Sequence, residues 1–194
     1  MNKSFVIFNP YQNTTVAEHY ISVLEASLRE SGYNVSYIQQ LATSKKKVGI
    51  VVVSAFDVCK AKRAGYSPVI LWSQGAIPEE SYMRNKSYLR KTVLEYIEKK
   101  ALRKADFVVL VSNAMKVHYE KKYGISLDEK SYCMPCYNTQ LDKEAFFYPE
   151  KYEKNVFTYT GGLAVWQCFE ETANLYCELE KRLDNAFFQV FTPD

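Results

Sequence analysis

Short apolar runs alternate with helix-like segments over most of the chain. A run of four to six mostly apolar residues fits a strand buried on both faces, as in a parallel sheet. In the intervening segments, apolar residues recur at helical spacing. The sequence therefore predicts an α/β fold, a parallel sheet with helices on both faces and right-handed crossovers. The six predicted strands are Phe5–Phe8, Asn34–Ile38, Val48–Val53, Val69–Trp72, Asp106–Val111 and Ser131–Met134.

The longest predicted helix runs from about Glu79 to Lys104. Its apolar positions include Met83, Leu89 and Val93, and most of its charged positions are basic. A solvated face is the ordinary explanation for such charge. Peripheral contact with an anionic membrane surface through this basic helix, residues 79–104, is the alternative.

The pattern changes after the sixth predicted strand. Residues 141–155 are polar and aromatic, which is typical of a linker. A new strand at Val156–Thr160 runs into Gly161–Gly162, and one helix and a strand at Ala186–Phe191 follow. Because two strands and one helix cannot cover both faces of a sheet, residues 156–194 are expected to be the truncated start of a second α/β domain, after a first domain of residues 1–140.

Composition narrows the class of protein. Of the 194 residues, 47% are hydrophobic, which is enough for a buried core and argues against disorder. The net charge of +3 is too small to indicate a nucleic-acid partner. The chain has no apolar run that could span a membrane, and its first apolar run, Phe5–Phe8, is too short for a signal peptide. We therefore expect a cytoplasmic protein, with a membrane-peripheral location as the variant left open.

The cysteines give little support for metal or redox chemistry. An odd number of cysteines in a cytoplasmic protein argues for reduced thiols. Cys133 and Cys136 have C-x-x-C spacing, but no second such pair occurs, and His19 and His118 are isolated in sequence. A zinc site needs more ligands than this. We therefore expect no metal, and small buried thiols, at the five cysteines: Cys59, Cys133, Cys136, Cys168 and Cys177.

The stretch Val69–Ser81 is the most informative one. It begins as an apolar strand, breaks at Gln74–Gly75 and restarts as a helix at Pro78, a residue favoured in the first helical turn. A strand, a break and a helix start mark the carboxyl edge of a parallel sheet, where ligands bind in open α/β folds. A plain loop with a polar rim is the alternative. No Gly-x-Gly-x-x-Gly motif follows the first strand, so a dinucleotide is not expected there.

Three passages, read in this order, resemble the amino-terminal half of GT-B-fold glycosyltransferases of family 4. The resemblance covers nearly all of the chain and implies a Rossmann-like acceptor-binding domain followed by the start of a donor-binding domain. The three passages are Trp72–Glu80, Ala105–Asn113 and Tyr159–Gln167.

The resemblance implies transfer of a sugar from a nucleotide-sugar to a glycan or lipid-linked acceptor, as in polysaccharide biosynthesis, with retention of anomeric configuration. No metal cofactor is implied. Gln74 is the catalytic candidate, standing where many relatives have an active-site histidine. Since the paired donor-binding glutamates of relatives would lie beyond residue 194, we expect the 194-residue chain to be inactive alone. The implied acceptor-binding residues are Asn13, Gln74, Gly75, Glu79 and Glu80, and the donor-binding residues are Gly161, Gly162, Trp166 and Gln167.

Two other functions remain open on the sequence. A nucleotide-sugar epimerase can have the same two-domain architecture. A non-catalytic sugar-binding module would keep the fold without the chemistry, which is compatible with Gln74 and with the lack of a basic residue next to Trp166.

Overall fold

A computed structural model describes residues 4–11, 15–44, 47–136, 142–147 and 149–192. Contacts divide the chain into two units, which are described separately below. The first comprises Met1–Glu79 and Ser87–Asn138, and the second Glu80–Lys86 and Thr139–Asp194. The predicted division into 1–140, a linker at 141–155 and 156–194 stays a prediction. In the structure, the segment Glu80–Lys86 also groups with the second unit.

The first unit contains a parallel six-stranded sheet in the order β2-β1-β3-β4-β5-β6. β2 lies on one side of β1, and β3 to β6 follow one another on its other side. The direction in which successive strands are added therefore reverses between β1 and β3. The prediction of a parallel α/β sheet is confirmed. The strands are β1 (Ser4–Phe8), β2 (Asn34–Ile38), β3 (Gly49–Val52), β4 (Val69–Ser73), β5 (Phe107–Leu110) and β6 (Ser131–Cys133).

Helices connect these strands and cover both faces of the sheet. Alternate residues of each buried strand face opposite ways, as the strand pleat requires. Val51 and Val109 pack with α1, whereas Ile50 and Leu110 pack with α2, α4 and α5. The helices are α1 (Thr15–Glu30), α2 (Ala55–Arg63), α3 (Ile77–Asn85), α4 (Tyr88–Lys104) and α5 (Asn113–Tyr123).

The prediction of one continuous helix from Glu79 to Lys104 was wrong. The chain leaves helical geometry at Lys86, whose φ of 52° lies in the left-handed region. Ser87 then caps α4, and its side chain accepts a hydrogen bond from the Arg90 backbone N–H. A serine at this position satisfies a backbone donor that the first helical turn leaves unpaired, so it starts a new helix.

The second unit contains a pair of parallel strands, β7 (Asn155–Thr160) and β8 (Ala186–Phe191), connected through α7 (Phe169–Glu180). The ring of Tyr176 on α7 stacks on Phe188 at 4.8 Å between ring centres. None of the described residues of α7 is fully buried. A short helix α6 (Lys143–Phe146) precedes this pair. The truncation predicted for this domain stays a prediction.

Within the described ranges, no helix is both long enough and apolar enough to span a bilayer.

Candidate functional site

Polar side chains gather where the strands of the first unit end. All six strands are parallel, so their carboxyl ends lie at one edge of the sheet. Tyr11 follows β1, Ser54 caps α2 after β3, Ser73 ends β4, and Ser112 caps α5 after β5. The strand order reverses between β1 and β3, and in open α/β sheets that reversal opens a crevice for ligands.

Tyr11 and the first turn of α2 form a polar cluster at this reversal. The Tyr11 hydroxyl donates to Asp57 Oδ2 at 2.6 Å, and Lys60 Nζ donates to Asp57 Oδ1 at 2.8 Å. Asp57 is buried, and its position in the first helical turn also suits the helix dipole. Burial and the nearby carboxylate raise the pKa of Tyr11. The cluster therefore holds Tyr11 as a neutral hydroxyl beside a fixed carboxylate.

A second, deeper network is centred on Glu98 of α4. Glu98 is only 4% exposed, and its carboxyl accepts a 2.5 Å hydrogen bond from the Tyr123 hydroxyl and a longer one, 3.4 Å, from Tyr119. Burial raises the pKa of Glu98 to about 7, although the hydrogen bond from Tyr123 and the charge of Lys122 act in the opposite direction. Removing a carboxylate from water disfavours its charged form, so this side chain titrates near neutral pH.

Tyr119 connects this carboxyl with the loop after β4. Its hydroxyl lies 2.9 Å from Ser73 Oγ and donates to the Gly75 carbonyl at 3.0 Å. A tyrosine has a single hydroxyl proton, so donation to Gly75 competes with donation to Glu98. A neutral Glu98 leaves the proton for Gly75, whereas an ionised Glu98 attracts it. The protonation state of Glu98 therefore affects how firmly the loop is held.

The start of α3 carries a charged cluster. Glu79 Oε1 lies 2.5 Å from Lys122 Nζ and 3.7 Å from His118 Nε2. Lys122 also lies 3.2 Å from Glu95. His118 is therefore on the site side of α5 and not on a remote surface. At 3.7 Å, its imidazole is close to the Glu79 carboxylate but beyond hydrogen-bond distance of it.

Unpaired polar atoms occur in the same region. Buried atoms without a hydrogen-bond partner among the described residues include Asn9 Oδ1 after β1, Trp72 Nε1 in β4 and Glu79 Oε2 in α3. Leaving a buried polar atom unpaired costs about 1–3 kcal/mol. Such atoms are uncommon in folded proteins, and they give this region polar groups that the described residues do not satisfy.

Only some of the acceptor-binding residues predicted from the sequence lie at this edge of the sheet. Gln74 is exposed and directly follows β4, and Gly75 is held through its carbonyl as described above. Glu79 lies in the charged cluster, whereas the half-buried Glu80 groups with the second unit. Asn13 lies outside the described residues.

The sequence reasoning missed the buried network. Glu98 occupies a position at helical spacing from Leu94, Ala101 and Leu102, so a carboxyl stands within the apolar stripe of α4. Tyr119 and Tyr123 are one turn apart on α5, and such pairs share a helix face. A charged residue in an apolar stripe was the available signal.

The predicted donor residues come together within the second unit. The Tyr159 hydroxyl donates to the Gly162 carbonyl at 2.7 Å, which fixes the turn after β7. A Cβ added at Gly161 would lie 3.1 Å from Gln167 Oε1. The turn and the residues after Trp166 therefore lie side by side, and a glycine suits the close approach.

A basic residue also lies beside Trp166, although none is near it in sequence. The guanidinium carbon of Arg84 lies 4.8 Å from the centre of the Trp166 ring. Arg84 belongs to the segment that groups with the second unit. A cation at this distance over an indole ring is favourable, and its remaining N–H groups stay available for an anion.

The N-terminus of α7 does not look like a phosphate site. Its first turn has no side-chain cap, yet Glu170 and Glu171 lie in that turn. Their charges already complement the helix dipole and repel a second anion. A phosphate in this unit is therefore better served by the Gly161–Gly162 turn and Arg84 than by the helix start.

The cysteines and acidic residues provide no metal centre in the described part of the chain. All five cysteines are unpaired thiols. No group of three or more His, Cys, Asp or Glu side chains within the described ranges could hold a metal ion. The expectation that the thiols are buried was wrong for Cys136, Cys168 and Cys177, which are exposed.

An apolar groove of about 680 Å³ lies between α1 and the sheet. Its lining includes Tyr20, Leu24, Phe107, Val109 and Met134. Among the described residues that line it, none is Asp, Glu, Lys or Arg. Sugars and phosphates are recognised by polar and charged groups, so the carboxyl edge is the better candidate site.

Comparisons with known proteins do not assign a family to this chain. No model of a known protein family matches it, and neither does any curated protein. The resemblance to GT-B glycosyltransferases stays a prediction, and the function has to be argued from the geometry described above.

Proposed function

We propose that this chain carries the acceptor-binding region, and part of the donor-binding region, of a glycosyltransferase that takes its sugar from a nucleotide-sugar. The acceptor is a glycan or a lipid-linked sugar, and transfer retains the anomeric configuration. The nucleotide-sugar is a co-substrate, and the proposal requires no metal ion.

One observation carries the proposal: in the second unit, the glycine turn packs against Gln167, and Arg84 lies over the ring of the neighbouring Trp166. A Cβ at Gly161 would lie 3.1 Å from Gln167 Oε1, so the turn packs closely against that side chain, and the hydrogen bond from Tyr159 to Gly162 fixes it. Arg84 supplies the positive charge. Because the Gly161 N–H already donates to the Phe191 carbonyl at 3.0 Å, the proposal assigns the diphosphate mainly to the Arg84 guanidinium, which can bind phosphate oxygens through two parallel hydrogen bonds.

The carboxyl edge of the first unit supports the acceptor side. Gln74 is exposed at the end of β4, and its amide offers both a donor and an acceptor to a sugar hydroxyl. Glu79 and His118 lie 3.7 Å apart in the charged cluster and can accept a hydroxyl proton. Of these, Gln74 positions a hydroxyl, and the Glu79–His118 pair is the candidate for proton transfer.

Binding of the donor is the direct test. The wild-type 194-residue chain and its Arg84→Ala variant are each titrated with uridine and guanosine diphosphate sugars by calorimetry. Because a hydrogen bond to a charged group contributes about 1.5–3 kcal/mol, the variant should bind roughly tenfold or more weakly. Arg182→Ala removes an exposed arginine of the same unit and should leave binding unchanged.

Failure of every nucleotide-sugar to bind would contradict the proposal. An equal loss of affinity in Arg84→Ala and Arg182→Ala would contradict the site. The two alternative functions predict different results when the same protein and nucleotide-sugar mixtures are analysed. Epimerised donor in the absence of any acceptor indicates an epimerase, and binding of free sugars without nucleotide dependence indicates a non-catalytic module.

A further inference from the structure

The outward side of α4 combines apolar and basic residues with no exposed acid. Leu89 is 79% exposed and Tyr96 is 65% exposed, and Val93 between them is also exposed. Lys100 and Arg103 continue the same side towards the end of the helix. Large apolar side chains are seldom left so open on one helix of a monomer unless they have a partner.

Helical spacing places these residues in one narrow stripe. At 100° per residue, positions 89, 93, 96, 100 and 103 fall within about 80° of one another around the helix. The first half of the stripe is apolar and the second half is basic. Lys100 Nζ lies 5.6 Å from the centre of the Tyr96 ring, so the two halves are in contact.

Both carboxylates of α4 lie away from the stripe. Glu98 is buried in the network with Tyr119 and Tyr123, and Glu95 is half-buried beside Lys122. Acidic side chains that would repel an anion are therefore directed into the fold. The described ion pairs of α4 involve Lys91 and Glu95, and none of them includes Lys99, Lys100, Arg103 or Lys104.

The neighbouring helix α2 extends the positive surface. A groove of about 380 Å³ is lined by Cys59, Lys62, Arg63, Lys100 and Lys104. Lys62 is neutralised by Asp106 at 2.5 Å, which leaves the other three cations of this groove. A second groove of about 410 Å³ on α4 is lined by four cations and Tyr96.

We propose that this stripe, Leu89, Val93, Tyr96, Lys100 and Arg103 together with Lys104, is a docking surface for an anionic lipid bilayer. The apolar half enters the boundary between headgroups and acyl chains. The basic half binds lipid phosphates, for which the two grooves provide the recesses. Insertion of apolar side chains and attraction of basic side chains to anionic lipid both strengthen interfacial binding, and this one side of α4 supplies both.

The apolar half distinguishes a bilayer from a nucleic acid. A nucleic-acid surface consists of cations that bind phosphates, with aromatic rings or polar groups that bind bases. The exposed aliphatic side chains of Leu89 and Val93 would contribute nothing to such binding. Their transfer from water into the lipid interface, in contrast, is favourable and would strengthen binding to a bilayer. The proposal does not depend on the glycosyltransferase function.

Vesicle co-sedimentation of the 194-residue chain tests the surface. The vesicles contain phosphatidylcholine alone or with about one third phosphatidylglycerol, at low and at high salt. Each Lys or Arg beside an anionic bilayer gives roughly a fivefold gain in partitioning, so replacing Lys100 and Arg103 by Gln should lower it about 25-fold. Leu89→Ser with Tyr96→Ser should also weaken binding, including at high salt.

The matched control replaces Lys47 and Lys121 by Gln, two exposed lysines of the first unit outside α4. It removes the same net charge as the α4 variant and should leave partitioning within about twofold of the wild type. Circular dichroism checks that each variant folds, which is expected because every substituted side chain is exposed. The proposal is overturned if anionic vesicles fail to bind the chain, if neutral vesicles bind it equally, or if the α4 variant and the control lose binding to the same extent. Binding of a single-stranded oligonucleotide with no vesicle binding also overturns it.

Discussion

The buried carboxyl of Glu98 makes the stability of the first unit depend on pH. Its pKa is about 7 in the folded chain against an ordinary value of 4.5, with burial as the main cause. The folded state therefore holds a proton that the unfolded state releases between these two values. In that window, stability falls as pH rises, and above pH 7 the full cost of the buried charge is present.

Glu98→Gln should remove this dependence. The rise of the Glu98 pKa from 4.5 to about 7 corresponds to roughly 3 kcal/mol, because a tenfold change in a proton-binding constant is about 1.4 kcal/mol. Between pH 5 and pH 8, the free energy of unfolding of the wild type should therefore decrease by about that amount relative to Glu98→Gln. Denaturant titrations at a series of pH values measure the difference. As a control, Glu129→Gln changes an exposed carboxyl of the same unit, and its free energy of unfolding should vary with pH as that of the wild type does. If the free energy of unfolding of Glu98→Gln also varies with pH as the wild type does, the mechanism is ruled out.

Among the elements, the break between α3 and α4 shows how a local conformation overrides a periodic pattern. Lys86 has a φ of 52°, which costs a residue with a Cβ roughly 1–2 kcal/mol compared with glycine. Its ammonium also lies 5.9 Å from the Tyr82 ring centre, a contact that any truncation removes. The backbone cost and the ring contact can be separated by two substitutions.

Lys86→Gly should leave the chain more stable than Lys86→Ala by about 1 kcal/mol. Both variants lose the ring contact, but only glycine relieves the left-handed backbone, partly offset by the greater freedom of glycine in the unfolded chain. Thermal or denaturant unfolding of the pair gives the comparison. If Ala equals or exceeds Gly in stability, Lys86 is not strained.

The elements also show what the sequence could predict and what it could not. The strands β1, β3, β4 and β5 were predictable because each is a largely apolar run, and Ser112 and Gly124 cap α5 as the sequence indicated. The break at Lys86 was not, because neither glycine nor proline marks it. The Glu98 network and the contact of Arg84 with Trp166 join residues that are distant in sequence, so spacing along the chain does not predict them.

At the scale of the whole molecule, the two units differ in how much of their structure is buried. Ile50, Val52 and Val69 of the first unit are completely buried. In the second unit, Phe187 and Phe191 of β8 are exposed, and none of the described residues of α7 is fully buried. Local stability follows the burial of apolar contacts, so the second unit should open more readily.

Hydrogen exchange followed by mass spectrometry should show this difference. Peptides covering β3 and β4 are expected to exchange much more slowly than peptides covering β7 and β8. Adding a nucleotide-sugar should slow exchange around Gly161–Gly162 if the donor proposal is correct. Equal protection of β3 and β8 in the absence of ligand would contradict the expected order of stability.

The position of the exposed turns beyond the strand ends of the six-stranded sheet determines which amino-acid substitutions the fold tolerates. The apolar side chains that hold the sheet lie along its faces, whereas exposed positions such as Gln74 lie beyond the strand ends and outside both hydrophobic clusters. If sugars bind at this edge as proposed, foldability and ligand preference are encoded by largely separate sets of positions. Mutational drift, or a randomised library restricted to the exposed turns, can alter which molecule is bound while the scaffold persists.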